Sequence, residues 1–204
     1  MNKNIQNETF DKQLNHLEEL ISSPKFLQKQ GIGSEIPFFI CPFNPRHYVD
    51  IVNLKTNLIN RLKQKNIKIL EINLYNLSIT ILKERGALAD LLANETSYPK
   101  DRIKELLQNL LDPETNLVPK IKEIIQADNY DVLFISGVGE VYPYLRSHNI
   151  LNNLQTVASD KPTVMFFPGE YNQSRNKGSS LDLFGILHDD RYYRAFNIYN
   201  CQVS

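Results

Sequence analysis

The amino-acid sequence predicts an α/β protein: a Rossmann-like, mainly parallel sheet of about five strands flanked by helices, with an N-terminal helical lead-in. Three observations carry that expectation. An apolar run over residues 132–135 breaks at Ser136-Gly137-Val138-Gly139-Glu140, a helical pattern covers 143–157, and a second apolar run over 163–167 breaks at Pro168-Gly169-Glu170. That is the strand, crossover helix and strand of a parallel βαβ unit. Residues 37–41 form another continuous apolar run, as in a strand covered on both faces. Residues 67–72 alternate apolar and polar side chains, which suits a strand nearer a sheet edge.

In chain order, Phe10, Leu14, Leu17 and Ile21 recur at helical spacing, so the lead-in begins with an amphipathic helix. Ser22-Ser23-Pro24 then offers a cap and a first-turn proline for a short helix carrying Phe26 and Leu27, and Gly31 and Gly33 end the segment. After the first strand, Pro42-Phe43-Asn44-Pro45-Arg46-His47 turns into a helix with Ile51, Leu54, Leu58 and Leu62 on one side. A second helix starts near Asn73, and residues 87–128 are wholly helical, punctuated by Pro99, Pro113 and Pro119. Residues 172–180 are polar and glycine-bearing and read as an exposed loop, while 192–199 alternate as a last strand.

Length and composition set bounds. A chain of 204 residues can remove about 70% of its unfolded surface from water, so a single domain spanning 1–204, with 1–34 packed on it, is the expectation. The 23 basic residues balance the 23 acidic ones, which argues against direct non-specific DNA binding. Cys41 and Cys201 sit at no metal or redox spacing and read as free thiols. The polar N-terminus and the lack of any apolar run of about 18 residues point to a cytoplasmic protein away from membranes.

In an open parallel sheet, chemistry belongs beyond the carboxyl ends of the strands. The candidate rim is Glu140, Tyr142, Arg146, His148, Glu170, Tyr171 and Arg194, with Arg46 and His47 as weaker candidates. Glu140 and Glu170, at neighbouring strand ends, suit a divalent cation or an acid and base pair. Both also have ordinary structural roles, Glu140 at the positive end of the helix begun near Pro143 and Glu170 paired with Arg146 or Arg194. Gly137-Val138-Gly139 matches only the first part of a dinucleotide fingerprint, because Tyr142 fills its third glycine position. The first strand's turn holds two prolines and neither glycine nor lysine, so it is no phosphate loop. The motifs call for no cofactor and no metal, and none of them marks nucleophilic or zinc catalysis.

Several motifs, in order, resemble one family. Residues 137–148, GVGEVYPYLRSH, are followed by Asn152-Asn153-Leu154, Phe166-Phe167-Pro168-Gly169-Glu170-Tyr171, Leu183-Phe184-Gly185 and Tyr192-Tyr193-Arg194-Ala195-Phe196. Together they resemble the BrxB family of BREX phage-defence systems, and the likeness extends more weakly to Pro37-Phe38-Phe39-Ile40. The resemblance implies a small cytoplasmic component of a system that also contains an alkaline-phosphatase-like protein (PglZ), a DNA methyltransferase and an ATPase. It carries no catalytic residues with it. The expectation is a non-catalytic assembly or adaptor subunit binding another BREX protein, PglZ first, with DNA met only indirectly and homo-oligomerisation left open. Two rivals stand beside it. One is a metal-dependent phosphoester hydrolase using Glu140, Glu170 and His148; the other is a nucleotide or nucleic-acid sensor using Arg46, Arg146 and Lys177.

Overall fold

A computed structural model describes residues 5–29, 38–174, 178–187 and 195–202. Pro37, Gly31, Gly33, Lys177 and the tail residues 188–194, including Tyr192, Tyr193 and Arg194, lie outside the described residues.

The lead-in folds as expected. Helix α1 (Phe10–Ile21) buries Leu14, Leu17, Leu20 and Ile21 along one stripe. In α2 (Pro24–Leu27) the Ser23 hydroxyl accepts the Phe26 N–H, satisfying one of the amides a helix start leaves unpaired. Strand β1 (Phe38–Phe43) follows and is buried at every position. Then come α3 (Tyr48–Gln64), β2 (Ile69–Asn73) and α4 (Leu74–Glu84), the last capped by the Asn73 side chain on the Asn76 N–H. Helices α5 (Ala87–Asn94), α6 (Lys100–Leu110) and α7 (Val118–Ala127) fill the helical stretch. Strand β3 (Val132–Ser136), α8 (Ser147–Leu154), β4 (Thr163–Ser174), β5 (Gly178–Leu183) and β6 (Phe196–Asn197) complete the described elements.

Five strands run parallel in the order β2-β3-β4-β1-β6, and β5 pairs antiparallel with the far half of β4. Side-chain alternation distributes β1, β3 and β4 between two cores. Phe38, Ile40, Leu133, Ile135, Met165 and Phe167 meet α4, α5, α7 and α8 on one face. Phe39, Cys41, Phe43, Phe134, Val164 and Phe166 meet α1, α2 and α3 on the other. Burying an aromatic or aliphatic side chain of this kind contributes about 1.5–3 kcal/mol, so three strands covered on both faces anchor the molecule. The alternating strand β2 lies at the sheet edge, as its pattern predicts.

The connections set the position of the cleft. The chain leaves β1 through α3 on one face to reach β2, three places away, then returns strand by strand to β4 through helices on the opposite face. The connections after β1 and β3 therefore diverge to opposite faces, and a crevice opens above β4 between them.

Three expectations need correction. The helix of the βαβ unit begins at Ser147 rather than Pro143; residues 137–146 are turns, with a cis Tyr142-Pro143 bond. Val138, Val141 and Leu145 are buried at spacings that imitate a helix, while Arg146 takes an extended conformation that starts α8 only after it. Strand β4 does not stop at Pro168-Gly169. Pro168 pairs with Phe43 of β1, its carbonyl accepts the Phe184 N–H at 2.8 Å, and the strand turns at Gly169 into a hairpin with β5. Residues 172–174 and 178–180 therefore pair as strands where polar composition predicted a loop. The final strand ends earlier than the 192–199 alternation implies, residues 192–194 lying outside the described residues: the Asn197 side chain accepts the Tyr199 N–H, and a 3-10 turn (Ile198–Asn200) replaces further pairing.

Candidate functional site

The crevice holds a cavity of about 290 Å³. Its walls come from Phe43, Pro45, Tyr48, Ile51 and Val52 on the β1–α3 side, from Gly137, Val138, Gly139 and Glu140 after β3, and from Phe166, Pro168 and Phe184 on the β4–β5 side. The lining is mostly apolar, with polar groups at two places.

At the inner end, Lys55 on α3 pairs with Glu71 of β2 and donates to the Ser136 hydroxyl at 3.2 Å. Ser136 in turn donates to Glu71 at 2.8 Å and accepts from the Asn73 amide at 3.4 Å. The lysine charge is thus compensated inside the protein. Gly137 closes this corner: its φ is +76°, and a Cβ there would stand 2.9 Å from the Asn73 side-chain oxygen. Only glycine fits both the backbone and the neighbour.

At the mouth, the Tyr48 hydroxyl donates to the Glu140 carboxylate at 2.6 Å, bridging α3 and the turn after β3. That hydrogen bond, with partial burial behind it, pushes the Tyr48 phenol up to about 12. Tyr48 therefore remains a donor throughout the neutral range. Among the described residues no cation pairs with Glu140.

The structure separates the residues singled out in the sequence. Glu140 lines the cleft, and Tyr142 supports it from outside through an edge-to-face contact with Phe184, ring centres 6.3 Å apart. Arg146 is exposed at the start of α8. His148 is buried in the first turn of that helix. Glu170 is exposed within the hairpin, opposite Asp182. Tyr171 is buried and donates to the Ala195 carbonyl at 2.7 Å, which ties the hairpin to the C-terminal segment. Arg194, offered as a partner for Glu170, lies outside the described residues. Arg46 is exposed in the turn after β1, and His47 faces a different, polar hollow near Phe10 and pairs with Asp50 at 3.2 Å. Of the carboxylates and histidine proposed for hydrolysis, only Glu140 lines this cavity. Among the described residues no three His, Cys, Asp or Glu side chains gather to hold a metal ion.

Tyr48, Lys55, Asn73, Ser136 and Phe184 were missed. Tyr48, Val52 and Lys55 recur at i, i+4 and i+7 beside the apolar stripe of α3, a signal legible in the sequence. Phe184 stands in one of the resemblance motifs, Leu183-Phe184-Gly185, but in a stretch that reads only as a short extended segment, with nothing to place it at the cleft.

A second apolar groove of about 260 Å³ runs between α4, α5 and α6 and shares Glu140 with the first. Exposed apolar side chains flank both. Tyr48 and Phe184 line the cleft, Tyr75 and Leu92 line the groove, and Val49, Ile186 and Leu187 are exposed at positions near Tyr48 and Phe184 in the chain.

These features define an open, doubly wound α/β protein with a small apolar cleft at its switch point and an apolar surface around it. The family described as BREX protein BrxB matches residues 70–198. A BREX protein BrxB of Bacillus cereus (strain H3081.97) is 34% identical over 192 residues, covering 92% of this chain and 96% of its own length. A BREX protein BrxB of Escherichia coli O9:H4 (strain HS) is 25% identical over 185 residues, covering 91% and 89%. No solved structure gives a significant match. The chain belongs to the BrxB family, and is thus a BREX system component. Among its described residues no helix is long and apolar enough to cross a membrane.

Proposed function

We propose that the protein is a non-catalytic assembly subunit of its phage-defence system, working in the cytoplasm and docking another BREX protein through the surface around the cleft. The alkaline-phosphatase-like PglZ is the first partner to test. One observation carries this reading: large exposed apolar side chains line two grooves that share Glu140, with Tyr48 and Phe184 in one and Tyr75 and Leu92 in the other, and the chain neighbours Val49 and Ile186 are 69% and 73% accessible. An exposed apolar surface rimmed by polar groups is the usual mark of a protein interface. The exposed candidates Arg46, Arg146 and Glu170 line neither groove.

The test is a binding measurement between the purified chain and PglZ, the methyltransferase and the ATPase of the same system, read by size exclusion with light scattering. A stoichiometric complex with PglZ is expected. The double variant Val49→Ser, Ile186→Ser, which removes only exposed apolar area, should weaken it by about tenfold or more. If no component forms a complex, the assembly reading falls.

A further inference from the structure

The cleft offers an apolar cavity, a carboxylate at its mouth and aromatic side chains beside that carboxylate. Its volume of about 290 Å³ is at the bottom of the range for small-molecule sites, about 300–1,000 Å³, and far too small for a dinucleotide. One or two amino-acid side chains fit such a space. Its charge is lopsided as well. Lys55 is cancelled by Glu71, so the charge left facing an occupant is Glu140, whose only described partner is the neutral Tyr48 hydroxyl on one of its two oxygens. A carboxylate with a free oxygen is an acceptor for a forked donor, and a guanidinium supplies two parallel N–H groups. Tyr48 and Phe184, both lining the cavity, provide aromatic faces and edges for the same planar cation. The apolar depth below, formed by Ile51, Val52, Val138 and Phe166, suits a neighbouring aliphatic side chain.

The presentation of Phe184 supports a receptor role. Its φ is +58°, a conformation unfavourable for a bulky L residue. The turn is held by Gly185 N–H to Asp182 O at 3.0 Å and Ile186 N–H to Leu183 O at 3.2 Å. Gly139 lets the ring approach: a Cβ there would stand 3.0 Å from it. Backbone strain held in place by such packing sets an aromatic ring at the mouth of a cavity.

We propose that this cleft is the receptor for an arginine of the partner protein, with the guanidinium forked onto Glu140 between Tyr48 and Phe184 and an adjoining aliphatic side chain in the apolar depth. The inference rests on the assembly reading and supplies the recognition chemistry of that surface. Arginine anchors set among aromatic side chains are a common form of interface hot spot.

The test uses the full, isotopically labelled chain and two probe dipeptides, acetyl-leucyl-arginine amide and acetyl-leucyl-citrulline amide. Citrulline keeps the shape of arginine and removes its charge. The arginine peptide should shift the amides of residues 137–140 and of Phe184, and bind about three- to tenfold more tightly than the citrulline peptide. Glu140→Gln, at an exposed position, should erase that difference. Equal binding of the two peptides, shifts confined to other surfaces, or no saturable shift up to about 20 mM would overturn the proposal. Adenosine shifting the same amides more strongly would assign the cleft to a nucleoside, and self-association abolished by Glu140→Arg would assign it to a second copy; either result overturns the partner arginine. The outcome separates from the assembly reading as follows. A PglZ complex unaffected by Glu140→Arg keeps the assembly role and rejects the arginine receptor. Peptide binding without any BREX complex does the reverse.

Discussion

A Cβ at position 169 would lie 2.1 Å from the Asp182 carbonyl oxygen, and the φ of +153° at that glycine is one that L side chains rarely adopt. Gly86 has φ +68° but nothing within 4 Å of the same hypothetical atom. The two positions separate backbone strain from steric collision. Gly86→Ala should cost about 1 kcal/mol of unfolding free energy. Gly169→Ala should cost at least about 3 kcal/mol, because a backbone oxygen has nowhere to move. Denaturant midpoints of the two variants check the contrast, and equal losses would mean the β4–β5 pairing at Gly169 is not as close as described. Tyr48 supplies the pH-dependent counterpart. Its phenol is raised from 10 to about 12, so the Tyr48 to Glu140 bond contributes fully below pH 10 and is lost as pH climbs towards 12. Carbon NMR of labelled tyrosine should find Tyr48 ionising late in the wild type and nearer its ordinary value in Glu140→Gln. At residue scale the sequence was only partly legible. Glu140 could be named because it follows a strand end, but its partner is 92 residues away. Nothing local announces such a contact.

At the scale of elements, β1, β3 and the first half of β4 were readable because burial on both faces forces uninterrupted apolar runs. The far half of β4 and the first half of β5 were not, although residues 181–185 read as a short extended segment. These segments are held by backbone pairing to one another together with the buried Tyr171, Leu181 and Leu183, and composition does not record pairing partners. Pro168 and Gly169 look like breakers, yet Pro168 closes the parallel register and Gly169 lets the strand leave the sheet for the hairpin. The helical spacing of Val138, Val141 and Leu145 misled for a related reason, since a turn that pins three apolar side chains into a core gives the same pattern. How α3 is locked to the edge strand was equally invisible, because Lys55 and Glu71 are 16 residues apart and no local pattern links them. Their side chains are 12% and 31% accessible, and the pair joins α3, β2 and the end of β3 through Ser136. Lys55→Met should destabilise the protein by about 1 kcal/mol by leaving the Glu71 carboxylate and the Ser136 hydroxyl without their cation. Lys55→Met combined with Glu71→Met should recover much of that loss, and a double-mutant cycle on urea midpoints measures it.

Across the whole molecule, the N-terminal helix, the first strand and the C-terminal segment meet at Tyr199. Its buried hydroxyl donates to the Gln13 side chain at 3.1 Å and lies 3.4 Å from the Cys41 thiol, while Gln13 donates to the carbonyls of Gln6 and Glu8 at 3.0 Å each. Burial pushes Cys41 up to about 12 and Cys201 up to about 11, so both remain thiols at neutral pH. Both cysteines are free, as their spacing led one to expect. The other link across the molecule is the sheet itself, because the two cores share β1, β3 and β4 and neither can open without stripping one face of the same strands. We therefore expect the chain to unfold as one unit, with α1 part of it. Far-ultraviolet circular dichroism and tyrosine fluorescence, free of interference in a chain without tryptophan, should give coincident urea transitions. Tyr199→Phe should move both midpoints together, by about 1–2 kcal/mol, because it leaves the buried Gln13 amide oxygen without its donor. An early transition seen only by dichroism, exaggerated by Tyr199→Phe, would mean that α1 detaches on its own.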